Sequence, residues 1–206
     1  FGARDLGLDR GMIGAYGHDD RVCAYANLMA ELEVKNPVHT TLTVFADKEE
    51  VGSDGTTGLH SHYMVDFIED LAQSQGFELR HVLEKSKCLS CDVNVAFDPA
   101  FAEVCEKNNT AYLNYGVALA KYTGSGGKSS TNDAPAETEG YFRRLLDDAG
   151  VVWQTSELGK VDQGGGGTIA YILANCDMDV VDIGVPVLSM HAPFEVVSKA
   201  DVYMTV

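Results

Sequence analysis

The stretch Thr40-Thr41-Leu42-Thr43-Val44-Phe45-Ala46-Asp47-Lys48-Glu49-Glu50 sets a short β-branched and apolar run directly before four charges. Such a run reads as a buried strand, and it delivers two adjacent carboxylates at its carboxyl end. The same grammar repeats outward in both directions. Upstream, Val22, Tyr25, Leu28, Met29 and Leu32 recur at helical spacing after Gly17-His18-Asp19-Asp20, with Asp19 or Asp20 placed to cap the helix start. Downstream, the pattern predicts a helix over 62–75, a strand over 89–93, a short helix after Pro99, a strand over 116–121 and a helix over 134–148. It continues with a strand over 151–154, a helix after Gly164-Gly165-Gly166-Gly167, a strand over 180–183 and a last helix after Pro193. Strands alternating with helices predict an α/β domain whose mostly parallel sheet carries helices on both faces. In such folds ligands sit outside the carboxyl ends of strands, where Glu49, Glu50, Asp92 and His191 fall.

The composition narrows the function classes. The 206 residues are 45% hydrophobic and 22% charged, enough for one ordinary core. The formal net charge of −16 would repel nucleic acid and anionic membrane surfaces. No run approaches the roughly 20 apolar residues that span a bilayer, and no basic-then-apolar leader opens the chain. Five dispersed cysteines, Cys23, Cys88, Cys91, Cys105 and Cys176, suit a reducing compartment, so cytoplasm is the expected location. Cys88 and Cys91 form a C-x-x-C without a second pair, and Cys88-Leu89-Ser90-Cys91 reads as a strand rather than a zinc ribbon. The first residue is Phe1 rather than Met, which reads as a fragment or a processed form.

Two neighbouring glutamates in one crevice repel unless a cation joins them or one takes a proton. Adding Asp20 at a helix start, Asp92 at a strand end and His191 after Pro186-Val187-Leu188-Ser189-Met190 gives oxygen and nitrogen donors of the kind zinc accepts. Each alone has a plain structural reading: a solvated Glu pair, an N-cap, a turn aspartate, a packed histidine. Their joint placement at element ends is what points to a metalloenzyme. Thr123-Gly124-Ser125-Gly126-Gly127-Lys128-Ser129 has the flavour of a phosphate loop, but Tyr122 occupies the position where that motif needs its first glycine. His60-Ser61-His62 reads as surface or packing, since residues two apart do not share a helix face.

Seven stretches then align with one family in order: Arg4-Asp5-Leu6-Gly7-Leu8-Asp9-Arg10, Gly17-His18-Asp19-Asp20-Arg21, Asp47-Lys48-Glu49-Glu50-Val51-Gly52-Ser53, Ser90-Cys91-Asp92-Val93-Asn94, Lys121-Tyr122-Thr123-Gly124-Ser125, Gly165-Gly166-Gly167-Thr168-Ile169 and Leu188-Ser189-Met190-His191. In them the chain resembles the catalytic portion of the aspartyl aminopeptidase and aminopeptidase I family of dinuclear zinc metallopeptidases, bacterial type. The resemblance implies a zinc-exopeptidase (phosphorylase/hydrolase-like) fold lacking its N-terminal strands, with residues 1–10 as the end of a dimerisation insert and 11–206 as the metallopeptidase domain. It implies two divalent metal ions, zinc above all, with Asp20 bridging them, Glu50 and His191 completing one site and Asp92 serving the other. Glu49 becomes the general base, and Lys121 lines the pocket for the first side chain. An upstream His-x-Asp that supplies a further ligand in the family has no counterpart here, and Val95 and Asp98 stand where acid-specific members carry histidines. Small peptides are the implied substrates and a large closed homo-oligomer the implied assembly. Two alternatives remain open: an inactive structural or regulatory fragment, and a related two-metal amidohydrolase.

Overall fold

The computed structural model describes residues 2–126, 129, 131–160 and 162–206. Gly127 and Lys128, part of the phosphate-loop-like stretch, and Phe1, at the end of the implied insert, lie outside the described residues. The strands are β1 (Arg4–Leu6), β2 (Met12–Ala15), β3 (Lys87–Cys91), β4 (Asn94–Val95), β5 (Val117–Ala120), β6 (Trp153–Thr155), β7 (Asp179–Gly184), β8 (Pro186–Leu188) and β9 (Glu195–Ser198). The helices are α1 (His18–Glu33), α2 (Tyr63–Ser74), α3 (Leu79–Lys85), α4 (Ala136–Asp148), α5 (Ala170–Ala174) and α6 (Lys199–Thr205), with 3-10 turns at Glu49–Val51 and Pro99–Val104.

The strands form two sheets. One has the order β3-β7-β5-β6, the other β1-β2-β9-β8-β4. In the four-stranded sheet β3 runs parallel to β7 and β5 parallel to β6, while β5 and β7 are antiparallel. Its central strand explains the layering. Successive residues of a strand point to opposite faces, so Val181 and Ile183 of β7 pack with Phe142 of α4. Val180 packs on the other face with Leu173 of α5 and Leu59. Helices thus cover both faces of this sheet, as the sequence pattern predicts. The five-stranded sheet is a departure from a single mostly parallel sheet: β1, β2, β9 and β8 pair antiparallel, and only β4 joins β8 in parallel. It rests on Val22 and Cys23 of α1 through Val187 and Val197, which are fully buried. Each such valine contributes about 1.5–3 kcal/mol of burial.

The main local correction concerns the opening stretch. Residues 40–46 form no strand, and Leu42, Val44 and Phe45 are 43%, 42% and 56% exposed. A β-branched run becomes a strand only when a neighbour takes its backbone N–H and C=O groups. Among the described residues that segment ends in a single bridge, Asp47 to Gly58. A second correction follows Pro193, where strand β9 comes first and the helix starts only at Lys199. Ser198 caps it, its hydroxyl accepting from the Ala200 and Asp201 amides. Cys88 and Cys91 do lie on a strand, β3, and both are free thiols.

Candidate metal centre

Three backbone segments converge at one end of the sheets. The first is the start of α1, carrying Asp19 and Asp20 after Gly17 in a left-handed conformation. The second is the 3-10 turn with Glu49 and Glu50, in a loop closed by hydrogen bonds from the Ser53 amide to Lys48 O at 2.8 Å and from the His60 amide to Ser53 O at 3.1 Å. Gly58 permits that closure, because any Cβ there would overlap the Ser53 carbonyl. The third is made by the ends of β3 and β8, where Asp92 and His191 follow. Gly184 at the end of β7 lets the Asp92 backbone pass close, and the Asp92 amide donates to Ile183 O at 3.1 Å.

The ligating atoms fall into two groups. Asp19, Glu50 and His191 offer donor atoms that lie within 4.8 Å of one another, and so do Asp19, Asp20 and Asp92. His191 Nε2 stands 2.9 Å from Asp19 Oδ2 and 3.0 Å from Glu50 Oε1. Asp19 is the residue common to both groups, whereas Asp20 joins only the second. Glu49 belongs to neither group, but it is near enough for the charges of Glu50, Asp19 and His191 to act on it. Lys121 is engaged elsewhere, paired with Asp133 and donating to Ala134 O at 2.8 Å.

The electrostatics describe a site built for a cation. Burial, and then the Glu50 carboxylate, push Asp19 up to about 6, against the opposing pull of His191. Burial pushes Asp20 up to about 7, with a Cys23 hydrogen bond opposing and the Asp19 charge adding. Burial followed by the charges of Asp20, Asp19 and Glu49 holds Asp92 well above the usual carboxylate range. Glu49 is raised by burial and then by Glu50 and Asp19. Asp20 Oδ1 is buried without a hydrogen-bond partner. Carboxylates crowded this way relax when a divalent cation sits among them. Carboxylate oxygens plus one imidazole suit zinc, so the donor set fits the metal.

Two participants escape the sequence reading. Asp19 is legible there only as a helix cap, although its adjacency to Asp20 is a signal in its own right. Glu195, 2% exposed, accepts the Asp19 amide at Oε2 (3.1 Å) and the His191 amide at Oε1 (2.7 Å). Nothing in the sequence marks it, because its partners are backbone groups.

A donor set of this kind at the strand ends of an α/β fold defines a candidate metal site. The chain belongs to the aminopeptidase I zinc metalloprotease (M18) family, whose model matches residues 2–206. It is 53% identical over 207 residues to the "probable M18 family aminopeptidase 1" of Clostridium acetobutylicum, covering 98% of this chain and 44% of that protein. It is 48% identical over 210 residues to the protein of the same name from Thermotoga maritima, covering 100% and 46%. The crystal structure of the M18 aminopeptidase from Thermotoga maritima superposes with a TM-score of 0.95 at 47% identity, again over 100% of this chain and 46% of the other. Aminopeptidase I from Clostridium acetobutylicum gives 0.93 at 54% identity, over 98% and 44%. The chain therefore spans less than half the length of these relatives. No described helix is long and apolar enough to cross a membrane.

Proposed function

We propose that this chain is the metal-binding part of a two-zinc aminopeptidase that removes N-terminal residues from small peptides. The observation that carries the reading is the pair of donor groups joined at Asp19. Asp19 is the shared ligand in this proposal, a role the family resemblance places on Asp20. Glu50 and His191 complete one site, and Asp92 with Asp20 serves the other. Two zinc ions held there would supply Lewis acidity and bring water to a reactive pKa near neutrality.

The remaining chemistry belongs to the chain. A Glu49 carboxylate oxygen takes a proton from the water that attacks the scissile carbonyl carbon. It then delivers that proton to the nitrogen of the departing amine as the C–N bond breaks. The raised affinity of Glu49 for protons suits both halves of that transfer. Asp133 neutralises the Lys121 ammonium, which favours neutral over acidic first residues.

Residues 1–10 as the end of a dimerisation insert, 11–206 as the catalytic domain, and a homo-oligomeric assembly belong to the same reading. Five free cysteines support a cytoplasmic setting. Replacing Glu49 by Gln tests the proposal: zinc content should stay near two per chain while cleavage of aminoacyl substrates falls about 1,000-fold. Retained cleavage overturns the assignment of the base. Substrates lacking a free α-amine separate an aminopeptidase from a broader two-metal amidohydrolase, and a chain that binds no zinc is an inactive fragment.

A further inference from the structure

Glu195 opens β9 and sits opposite Ala15 in the β2–β9 register, beneath both the start of α1 and the turn that carries His191. Its carboxylate is almost fully buried, and its two oxygens are divided between two loops. One takes the amide of Asp19, 176 residues away in sequence, and the other takes the amide of His191, four residues away. Charge-assisted bonds of this kind are shorter and stronger than neutral ones. The His191 backbone has a left-handed φ of 65°, as does Ser189 at 59°. A non-glycine residue holds that conformation only against steric strain, so the turn needs an anchor. Removing the carboxylate would free both loops together.

We propose that Glu195 is a positioning residue that sets the separation of the Asp19 carboxylate from the His191 imidazole, and through it the zinc affinity of the Asp19–Glu50–His191 group. This rests on the two-metal reading above. A buried anion behind the ligands also adds to the attraction for a cation, which an apolar residue filling the same space would not. Glutamate meets the geometric demand as well, since one planar group must accept from two N–H donors that approach from different loops.

The test is Glu195→Gln, which keeps the shape but turns an NH2 toward one of the two amides. Zinc affinity, measured by chelator competition, should weaken 10–100-fold. At saturating zinc kcat should fall about tenfold with KM changed less than about twofold. In the metal-free protein, hydrogen exchange at the Asp19 and His191 amides should accelerate while β7 amides are unchanged. Zinc affinity and kcat within twofold of the parent overturn the proposal, as does a lowered melting temperature with unaltered zinc affinity. Should Glu195→Gln fail to fold, Glu195→Asp keeps the charge but cannot reach both loops, and the same losses are expected. Exchange in the unmodified metal-free protein decides independently: Asp19 and His191 amides protected like those of β9 support the anchor, and unprotected ones overturn it. A parent protein that binds no zinc overturns the two-metal reading, and the exchange measurement still judges the anchor on its own.

Discussion

The floor of the site and the segment that carries its two glutamates are built differently. The floor is β7 with β3 and β5 at its sides, where Val180, Val181 and Leu119 are at most 1% exposed and α4 and α5 close the two faces. The segment over 38–51 has no ladder, and Val38, Leu42, Val44, Phe45 and Val51 are all exposed. Yet both contribute candidate donors: Asp92 stands at the edge of the floor, while Glu50 rides on the segment beside Glu49. One half of the site is thus held by interior packing, and the other by loop hydrogen bonds such as Thr57 Oγ1 to Asp47 Oδ2 at 2.9 Å. Exposed loop bonds of that kind contribute little to folding. Metal ligation itself would then supply much of the order on the Glu49–Glu50 side.

That contrast can be sharpened by perturbing each region in turn. The largest effect is expected at Asp182, inside the floor. Burial pushes its carboxyl up to about 7, against the hydrogen bond it accepts from Thr168. The folded state therefore holds the proton more tightly than the unfolded chain. Its stabilising share is complete below the ordinary value of 3.8, declines as pH rises, and is lost above about 7. A shift of that size corresponds to roughly 4 kcal/mol. Denaturant melts across this range should show the slope, and Asp182→Asn should reduce it by this share, leaving the slope that the raised carboxyls of Asp19, Asp20 and Asp92 contribute.

Next in size, Leu119→Ala removes a side chain that is 1% exposed and should cost about 3 kcal/mol in the same melts. Ser198→Ala deletes the α6 cap and should cost about 1 kcal/mol. The smallest effect is expected in the open segment, where Phe45→Ser should change stability by less than about 0.5 kcal/mol. A loss of 2 kcal/mol or more there would show that the segment is packed in solution and would break the comparison.

Much of the floor is legible in the sequence. Asp179–Gly184 is β-branched and bounded by turn residues, and it becomes the central strand. Helices α1, α2 and α4 begin within about two residues of where periodicity sets them, although α1 buries Val22, Cys23 and Ala26 while Tyr25, Leu28 and Leu32 of its apolar stripe are exposed. The segment over 40–46 has the same local signature and fails, since pairing is a property of a partner and not of the run itself. The five-stranded sheet is hidden for a related reason: its strands are three or four residues long apart from the two-residue β4, too short for alternation to register. At the site, residue type and adjacency single out Glu49, Glu50, Asp92 and His191 as candidates, although the strand expected to deliver the two glutamates does not form. The choice between Asp19 and Asp20 is not legible, because adjacent aspartates offer identical chemistry and differ only in the direction their carboxylates take. Glu195 is invisible because a carboxylate bound to backbone amides leaves no mark in the identities of its partners.

The shared role of Asp19 is the centre of this account, and zinc titration of Asp19→Asn beside Asp20→Asn tests it most directly. The expected result is that Asp19→Asn weakens both equivalents of zinc, whereas Asp20→Asn weakens only one. Loss of both equivalents in Asp20→Asn, with one bound at parental affinity in Asp19→Asn, would contradict it.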